Sequence, residues 1–440
     1  MGRLGIDTRS SLSMHLSQYG ELPEVPPRRG SEPGTLVEQV EISGLRGRGG
    51  GWFPTSRKLR AVVQSSAERG RLGRGRHPLV IANGMEGEPA SSKDAVLLGA
   101  SAHLVFDGIT AAAATIGATD AFLAIHRDSP VIPTLVKALD ERHAARLDPL
   151  AIHLVTPPAR YVASEESALS HWVGEGVATP VYPDRPFQKG AAGRPTLVQN
   201  VETLAHLGLV ARYGGEWFAQ VGASGAPGST LVTVGGAVRS PGVVEVPTGT
   251  TVAEILELCG GPTERVHAYL TGGYGGGWAA AAGFDATPWD PESVRAAGGV
   301  IGASVLWLVG ESTCPVEELA RVSAWMAGES AGQCGPCVYG LPSLSDDVHL
   351  LATRQATAMD MKRLEHRLRL VSNRGGCKHP DGTARFVSTG LAAFPDEVAL
   401  HLSGRCSIAA TPLAGVQLTA TMPVPPPRLA LVDVSGRDFE

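Results

Sequence analysis

Three cysteines in the C-terminal third of the sequence are the residues whose spacing most directly indicates chemistry. Cys334 and Cys337 are three positions apart, and Cys377 follows 40 residues after Cys337. Thiolates at this spacing can ligate one metal centre, and a distant third cysteine can complete the site. Because a four-cysteine set lacks one member here, the candidates for the fourth ligand are His379, Cys314 and solvent. Three buried thiols without a metal are the alternative interpretation.

A glycine-rich loop near the N-terminus is a second candidate site. Residues 44–51 contain five glycines and two arginines. Glycine lets backbone N–H groups turn inward and arginine adds positive charge, so such a loop can hold a phosphate group. Arg57 and Lys58 follow closely enough to reach the same anion. The alternative is a flexible surface loop without a ligand.

Two acidic segments form a third candidate. Residues 83–89 follow a predicted strand, and ligands of open α/β sheets bind at the carboxyl ends of the strands. Asparagine there can pair with the edge of a flavin or base, and glutamate with ribose hydroxyls. Residues 161–166 end in the adjacent carboxylates of Glu165 and Glu166, one of which could line a pocket. An acidic turn, and carboxylates that favour a helix N-terminus, are the structural alternatives.

The elements that would position these residues alternate between strands and helices. A capping box of Thr35 and Glu38 predicts a helix before the glycine-rich loop. Apolar runs then predict strands at 79–82, 121–125 and 150–155, with helices from Ala95 and over 131–145. This alternation is typical of a parallel, doubly wound sheet, and the module is expected to end between Gly208 and Gly222.

A different pattern follows a predicted linker at residues 222–229. A small α+β module is predicted from strands at 231–234, 243–246 and 268–271 and a helix capped by Thr251 with Glu254. Helical spacing then predicts helices over 316–326 and 356–371. The prolines at 425–427 indicate an extended C-terminal tail.

Composition narrows the class of protein. The 440 residues carry a net charge of -5, and only 5% are aromatic, which argues against a nucleic-acid-binding protein. Residues 1–18 contain no apolar segment typical of a signal peptide. Residues 95–118 are apolar, but His103 and Asp107 favour a buried helix over a membrane span. We therefore expect a cytoplasmic protein.

Together these segments resemble the NADH-dehydrogenating flavoprotein subunit of respiratory complex I and the diaphorase subunits of soluble hydrogenases and formate dehydrogenases. The matching motifs are SGLRGRGGGWFPTSRK (43–58), NGMEGEPASSKD (83–94), YVASEESAL (161–169), GRPTLVQNVETLA (193–205) and ESAGQCGPC (329–337). Their order and spacing extend the resemblance over roughly residues 35 to 405.

The resemblance implies an α/β fold with a Rossmann-like FMN-binding domain, a β-grasp domain of the soluble-ligand-binding (SLBB) type and a helical iron–sulfur bundle. The corresponding limits are an N-terminal extension (1–34), the FMN and NADH domain (35–222), the β-grasp domain (229–300), the iron–sulfur domain (311–405) and a proline-rich tail (406–440).

The resemblance also implies which residues form the site. FMN would be held by Gly47, Arg48, Asn83, Glu86, Tyr161, Glu165, Val198, Gln199, Asn200 and Thr203. NADH would lie near Gly50, Phe53, Lys58 and the two carboxylates with catalytic roles, Glu88 and Glu166. The iron–sulfur ligands would be Cys334, Cys337 and Cys377.

Three departures from the family pattern are visible. The family has Asp where this chain has Met85, a change expected to alter the flavin or nicotinamide contacts. It has a basic residue where this chain has Asp184, which would repel a dinucleotide phosphate. Its first cluster cysteine is Ala331 here, so a [4Fe–4S] cluster with a non-cysteine ligand, a [3Fe–4S] cluster and a Cys₃His zinc site are all open. The other cysteines, Cys259 and Cys406, are assigned to packing.

We therefore expect an NADH dehydrogenase-type oxidoreductase. Hydride would pass from NADH to FMN, and single electrons would leave through the cluster to a protein acceptor. The expected partners are other electron-transfer subunits or a ferredoxin within a hetero-oligomer, without nucleic acid or direct membrane insertion. Two alternatives are a flavin and iron–sulfur module that does not use NADH, and a scaffold of the same fold that has lost its cofactors.

Overall fold

The computed structural model describes residues 2–6, 11–26, 34–72 and 77–408. The predicted prolines of the tail at 425–427 lie outside the described residues. The helices are α1 (Leu12–Tyr19), α2 (Leu36–Ser43), α3 (Thr55–Arg71), α4 (Lys93–Ile116), α5 (Ile132–Ala145), α6 (Glu166–Glu175), α7 (Pro186–Lys189), α8 (Val201–Tyr213), α9 (Gly215–Ala219), α10 (Val252–Leu258), α11 (Pro291–Ala296), α12 (Pro315–Gly328), α13 (Leu341–Ala352), α14 (Ala358–Val371), α15 (His379–Ala393) and α16 (Pro395–Leu402). The strands are β1 (Leu79–Asn83), β2 (Asp120–Ala124), β3 (Ile152–Val155), β4 (Thr196–Asn200), β5 (Gly222–Ala223), β6 (Ala226–Pro227), β7 (Ser229–Gly236), β8 (Gly242–Pro247), β9 (Val266–Thr271), β10 (Gly277–Ala280) and β11 (Val305–Gly310).

A four-stranded parallel sheet forms the centre of the first domain. Its strand order is β3-β2-β1-β4, and every neighbouring pair is parallel. The apolar run of β1 is buried along its length, as expected for a sheet covered on both faces. Asn83 and Asn200 end β1 and β4 and are paired in register, so the two βα turns that follow lie side by side. The predicted Rossmann-like α/β fold is confirmed.

Helix α4 packs closely against α8 in the core of this domain. A Cβ on Gly108 would overlap the carbonyl oxygen of Leu204, so this crossing requires glycine. Among the described residues, α4 is the one helix long and apolar enough to cross a membrane by length and composition. However, 83% of its most apolar stretch is buried inside the protein.

The charge in the middle of α4 is neutralised internally. Burial alone would raise the pKa of Asp107, but a hydrogen bond from His15 and ion pairs with Arg142 and Arg212 lower it to about 2. His15 belongs to α1, so the predicted N-terminal extension packs onto the first domain. The prediction of a buried helix with an internal charge agrees with this packing.

Two local predictions differ from the structure. Helix α2 is present, but Thr35 itself has helical backbone angles and its side chain makes no capping hydrogen bond, so the predicted capping box does not form. The predicted linker at 222–229 is a small antiparallel hairpin of β5 and β6. Thr248 stabilises it by accepting a hydrogen bond from the backbone of Ala223 (2.9 Å).

The second domain is a mixed five-stranded sheet with the order β10-β9-β11-β7-β8. Strands β7 and β11 are parallel, whereas the other pairs are antiparallel. Helix α10 begins at the predicted capping box, which is formed by Thr251 and Glu254. The hairpin of β7 and β8 extends beyond its predicted ends, because the flanking residues continue the ladder.

Helices α12 to α16 form the third domain. Pro315 occupies the first turn of α12, and a short π-helical segment, Pro336–Gly340, leads into α13. Helix α15 packs on β10, where the ring of Trp278 lies 5.4 Å from that of Phe386 and 5.2 Å from that of Phe394. The iron–sulfur bundle expected from the sequence is therefore docked against the β-grasp sheet.

Candidate functional site

The four N-terminal motif segments converge on one cavity of about 500 Å³. This volume lies within the range of ligand pockets. Every residue predicted to contact FMN or NADH lines it: Gly47, Arg48, Gly50, Phe53, Lys58, Asn83, Glu86, Glu88, Tyr161, Glu165, Glu166, Val198, Gln199, Asn200 and Thr203. Cys377 lines the same cavity, whereas Cys334 and Cys337 are not part of its lining. The structure thus brings the predicted residues together, and their individual roles stay predictions.

The glycine-rich loop is held against the N-terminus of α8. The backbone N–H of Arg48 donates to the hydroxyl of Thr203 (2.8 Å), and that of Gly47 donates to the carbonyl of Phe53 (2.9 Å). Gly50 has φ +103°, and Trp52 is a non-glycine residue with φ +46°. Backbone strain of this kind persists only where the surroundings fix it, and it is common at binding sites. The loop and the α8 dipole together favour an anion.

The side chain of Arg48 connects this loop to the second domain. It is 1% exposed, and its guanidinium donates to the carbonyls of Pro227 and Ser229 (both 3.1 Å) and lies 4.2 Å from the ring centre of Trp52. Burial lowers the pKa of Arg48 to about 10, although Glu202 opposes that effect. The guanidinium is therefore used largely for domain docking.

The turn after β1 is held by hydrogen bonds between its polar side chains and backbone groups of other segments. Asn83 Nδ2 donates to the carbonyl of Ser164 (2.9 Å), which joins two of the motif segments. Glu86 has φ +44°, and its carboxylate accepts the backbone N–H groups of Asp94 and Ala95 (both 2.9 Å) at the start of α4. Burial raises the pKa of Glu86 to about 7.

Glu88 is the carboxylate that joins the first domain to a glycine-rich turn of the second. It accepts the backbone N–H of Tyr274 (2.9 Å), and a Cβ on Gly273 would overlap its carboxyl group. A Cβ on Gly275 would in turn approach the Tyr161 hydroxyl at 2.5 Å. Burial raises the pKa of Glu88 to about 7. The glycines are required because two domains meet here without room for a side chain.

A buried lysine supplies positive charge that sequence analysis missed. Lys93 lines the cavity and pairs with Asp94 (2.6 Å) and Glu202 (2.9 Å). Burial alone would lower its pKa, but the two carboxylates raise it, so Lys93 stays cationic. Its position in the motif NGMEGEPASSKD was the clue that could have identified it.

Lys58 and Glu166 form an ion pair at the mouth of the cavity. Their side chains are 24% and 41% exposed, so both can exchange this contact for one with a ligand. Phe53 lies nearby on the cavity lining and is 54% exposed. An exposed charged pair beside an exposed aromatic ring is suited to a polar ligand with a stacking group.

None of the three departures from the family pattern, Met85, Asp184 and Ala331, lines the cavity. Met85 is 1% exposed and packs in an apolar cluster with Leu79 and Leu169. Asp184 pairs with Lys189 at 2.7 Å, which neutralises its charge. Met85 and Asp184 therefore do not contact the cavity in which a nucleotide was expected to bind. Neither residue supports the alternative of a module that does not use NADH.

The three predicted metal ligands lie near one another. Cys334 precedes the π-helical segment, Cys337 is buried within it, and Cys377 immediately precedes the Lys378 cap of α15. Burial raises the pKa of Cys337 to about 12, and the neighbouring thiols of Cys334 and Cys377 contribute. Over the residues that the structure covers, these three sulfurs do not form a group within 4.8 Å of one another.

The two protein candidates for a fourth cluster ligand, His379 and Cys314, lie in different surroundings. His379 Nε2 lies 2.9 Å from the carbonyl of Met326, and its Nδ1 is buried without a hydrogen-bond partner. Cys314 instead lies within 4.8 Å of Glu397, His401 and Cys406, in a different apolar cluster. Cys314 is therefore packed apart from the three predicted cluster cysteines, and Cys406, which was predicted to be a packing residue, packs against the same apolar cluster as Cys314.

The second and third domains supply part of the cavity wall that was not predicted. These lining residues are Gly272, Gly275, Val300, Gly302 and Ala303 from the β-grasp domain, and Lys378, His379, Gly382 and Arg385 from the helical domain. The glycine-rich stretch at 272–277 was the available clue in the sequence.

Cluster and cavity are also joined by a contact between motifs. Glu329, the first residue of the motif ESAGQCGPC, accepts the backbone N–H of Tyr161 (2.8 Å) and pairs with Arg160 (3.0 Å). The ring of Tyr161 lies 5.3 Å from that of His379 and 5.6 Å from that of Trp325. The cysteine motif and the flavin motif are thus one packed unit.

The fold and this site define a flavin-binding electron-transfer protein with an iron–sulfur domain. Three sequence families match in order: the Nuo51 FMN-binding domain over residues 40–208, the SLBB domain over 231–277, and the NADH-ubiquinone oxidoreductase-F iron–sulfur binding region over 317–401. The chain is 31% identical to the F subunit of NADH-quinone oxidoreductase of Streptomyces coelicolor, over 85% of this chain and 84% of that protein. It is 29% identical to the protein of the same name in Escherichia coli, over 84% of each chain. The chain therefore belongs to the family of NADH-quinone oxidoreductase F subunits.

The fold has solved relatives. A crystal structure of an NAD⁺-reducing [NiFe]-hydrogenase in the H₂-reduced state superposes with a TM-score of 0.76 and 28% identity. The match covers 83% of this chain and 62% of the hydrogenase chain, so this protein spans less than two thirds of that relative. The air-oxidized state of such an enzyme gives a TM-score of 0.75.

Proposed function

We propose that this protein oxidises NADH with FMN in the 500 Å³ cavity and passes electrons singly through an iron–sulfur cluster held by Cys334, Cys337 and Cys377. Its family makes it an NADH dehydrogenase-type oxidoreductase. The observation that carries the assignment is the convergence of the predicted flavin and nucleotide residues on one cavity whose wall includes Cys377. A flavin bound there would be next to a cluster ligand.

The residues present fit FMN. The glycine-rich loop and the N-terminus of α8 would hold the phosphate of FMN. Bound FMN supplies the conversion between a two-electron donor and one-electron carriers. Asn83 and Asn200 hold the two βα turns in place around it, and Glu86 fixes the start of α4 beside them.

The outer part of the cavity suits NADH. Lys58 can bind a dinucleotide phosphate, Glu166 can accept ribose hydroxyls once its pairing with Lys58 is exchanged, and Phe53 offers an aromatic face. Glu88 lies deeper and is fixed by Tyr274, so it orients rather than captures the nucleotide.

The cluster site fits iron–sulfur chemistry with one non-cysteine position. We assign a [4Fe–4S] cluster with a fourth ligand other than cysteine, or a [3Fe–4S] cluster, at the three thiols. The proposed fourth ligand is His379, which lies two residues after Cys377 and has a buried Nδ1 without a hydrogen-bond partner.

Electrons would leave towards a partner subunit. The curated relatives are named as subunits, so a hetero-oligomer in the cytoplasm with a further electron-transfer subunit or a ferredoxin is the proposed setting. Val338 and Tyr339 follow Cys337 directly and are 44% and 76% exposed. An apolar, exposed pair beside a cluster ligand is suited to docking an electron acceptor.

The decisive experiment is anaerobic reduction of the purified protein by NADH, followed by visible spectroscopy with flavin and iron analysis. Flavin and iron should both be present, and NADH should bleach the flavin. Lys58→Ala should slow the bleaching at least about tenfold while flavin stays bound, because it removes a charged hydrogen bond to the nucleotide.

A matched lysine variant controls for the change of charge. Lys137→Ala removes a side chain that is 75% exposed and outside the cavity lining. In this variant NADH should reduce the flavin at the wild-type rate. Flavin that stays oxidised with excess NADH would refute the proposed reaction. Equal rates in both lysine variants would refute only the placement of the nucleotide.

A further inference from the structure

A second cluster of potential metal ligands lies at the far end of the helical domain. The Sγ atoms of Cys314 and Cys406, a carboxylate oxygen of Glu397 and a ring nitrogen of His401 all lie within 4.8 Å of one another. Over the part of the chain that the structure describes, this is the one group of three or more such residues with so compact a set of ligand atoms. None of the three iron–sulfur cysteines belongs to it.

The distances in this group match those of a single tetrahedral ion. Cys314 Sγ lies 3.4 Å from His401 Nε2 and 4.0 Å from Glu397 Oε1, and His401 Nε2 lies 3.3 Å from Glu397 Oε1. Metal–ligand bonds of about 2.0–2.3 Å in a tetrahedron place neighbouring ligand atoms roughly 3.3–3.8 Å apart. The observed spacing is therefore close to that of a zinc coordination shell.

The histidine is oriented as a metal ligand. His401 is 0% exposed, and its Nδ1 lies 3.1 Å from the carbonyl oxygen of Leu351. If Nδ1 carries the proton, Nε2 presents its lone pair to the two thiols and the carboxylate. Metal-binding histidines are commonly fixed in this way by a carbonyl that accepts the other ring N–H.

The remaining ligands are also held by the fold. Cys314 is the N-cap of α12, so the start of that helix fixes the position of its side chain. Glu397 Oε1 accepts the backbone N–H of Ser407 (3.0 Å), which draws the turn that carries Cys406 back onto α16. Cys314 and Glu397 are 5% and 8% exposed. Buried groups of this kind are normally paired or metal-bound, because an isolated charge is costly in an apolar core.

We propose that Cys314, Glu397, His401 and Cys406 bind a structural Zn²⁺ ion, separate from the iron–sulfur site. Thiolate, imidazole and carboxylate groups are each ligands that zinc accepts, and four protein ligands leave no open position for catalysis. The ion would fasten α16 and the chain after it to the N-terminus of α12 and the end of α13.

The test is metal analysis of the full-length, flavin-loaded protein after anaerobic purification and removal of loosely bound metal. We expect about one zinc per chain in addition to iron. Zinc-edge X-ray absorption should give two sulfurs near 2.3 Å and two nitrogen or oxygen ligands near about 2.0–2.1 Å. This measurement needs no substitution and is insensitive to flavin and iron.

Matched variants separate the two metal sites. Cys406→Ser and His401→Gln should lower zinc affinity at least about tenfold with flavin content unchanged. Cys377→Ser should lose iron and keep zinc. Cys259→Ala removes a buried thiol elsewhere and should keep both metals.

Several results would overturn the proposal. The first is that the protein neither contains zinc nor takes up added Zn²⁺. The second is a zinc-edge X-ray absorption spectrum that shows four sulfur ligands or only oxygen ligands. The third is that the zinc content of Cys406→Ser equals that of the wild type. A Cys314–Cys406 disulfide found by thiol alkylation and mass analysis of the anaerobic protein would also overturn it, because a disulfide cannot supply two thiolates. Each outcome is independent of NADH oxidation and so does not depend on the proposed function.

Discussion

Replacing Glu88 by glutamine should stabilise the protein in a strongly pH-dependent way. The Glu88 carboxyl is 8% exposed, and burial raises its pKa from 4.5 to about 7. One pKa unit corresponds to about 1.4 kcal/mol, so ionised Glu88 costs the fold about 3 kcal/mol. Glutamine carries no charge and keeps one oxygen acceptor for the two backbone N–H groups that Glu88 accepts, those of Ala90 and Tyr274.

The direction of the pH dependence follows from proton binding. The unfolded chain releases this proton near the ordinary pKa of 4.5, and the folded chain near 7. Between these values the folded state binds more protons, so the wild-type free energy of unfolding falls as the pH rises and is then level above about 7. The cost is absent below pH 4.5, where both states are protonated.

Thermal unfolding of flavin-free Glu88→Gln and wild-type protein at pH 5 and pH 8 measures this difference. The two proteins should melt within a few degrees of each other at pH 5. At pH 8 the variant should melt roughly 6–12 °C higher, since about 3 kcal/mol shifts a unit of 150–250 residues by that amount. Glu166→Gln is the control, because its side chain is 41% exposed and its pairing with Lys58 is worth at most about 1 kcal/mol. An equal gain at both pH values, or an equal gain in the control, would refute burial as the cause.

Two further predictions concern packing and the cluster. Gly108→Ala should lower the free energy of unfolding by at least about 2 kcal/mol, as measured by urea titration, because its Cβ would overlap the Leu204 carbonyl at the α4–α8 crossing. The control is Gly70→Ala, which should not destabilise the protein because a Cβ at that position contacts no other atom. Ala331→Cys should restore a four-cysteine set and raise the iron content of a [3Fe–4S] protein by a third, as measured by iron analysis and electron paramagnetic resonance; an unchanged spectrum would mean that position 331 does not face the cluster.

The regular parts of the fold could be predicted from local sequence because their physics is local. The apolar run of β1 must be buried, and Thr251 with Glu254 satisfies the first N–H groups of α10 whatever surrounds it. Thr35 and Glu38 have the same pattern, yet Thr35 takes helical backbone angles, so its side chain has no capping geometry. A motif at a helix start therefore predicts the helix better than it predicts the cap.

The residues of the candidate site that lie in recognisable sequence motifs could be predicted, whereas the others could not. The flavin segments resemble a family, so their residues could be assembled without knowing the sheet. The zinc ligands could not be found in this way, because Cys314 and Cys406 are distant in sequence and only the packing of α12 against α16 brings them together. Lys93 was missed for a similar reason: a lysine is recognised as a buried cation only when Asp94 and Glu202 are seen around it.

The cavity is a product of domain docking as much as of the FMN-binding domain. Glu88 of the first domain is held by the backbone of Tyr274 in the second, and Tyr161 packs against Trp325 and His379 in the third. Each contact involves a residue of a flavin motif, so the flavin wall and the domain interfaces use the same side chains. Because Cys377 lines that cavity, the docking that completes the proposed flavin site also sets the position of this predicted cluster ligand relative to it. A substitution of Glu88 or Tyr161 would therefore act on the docking of the domains as well as on the cavity, because each side chain contacts another domain.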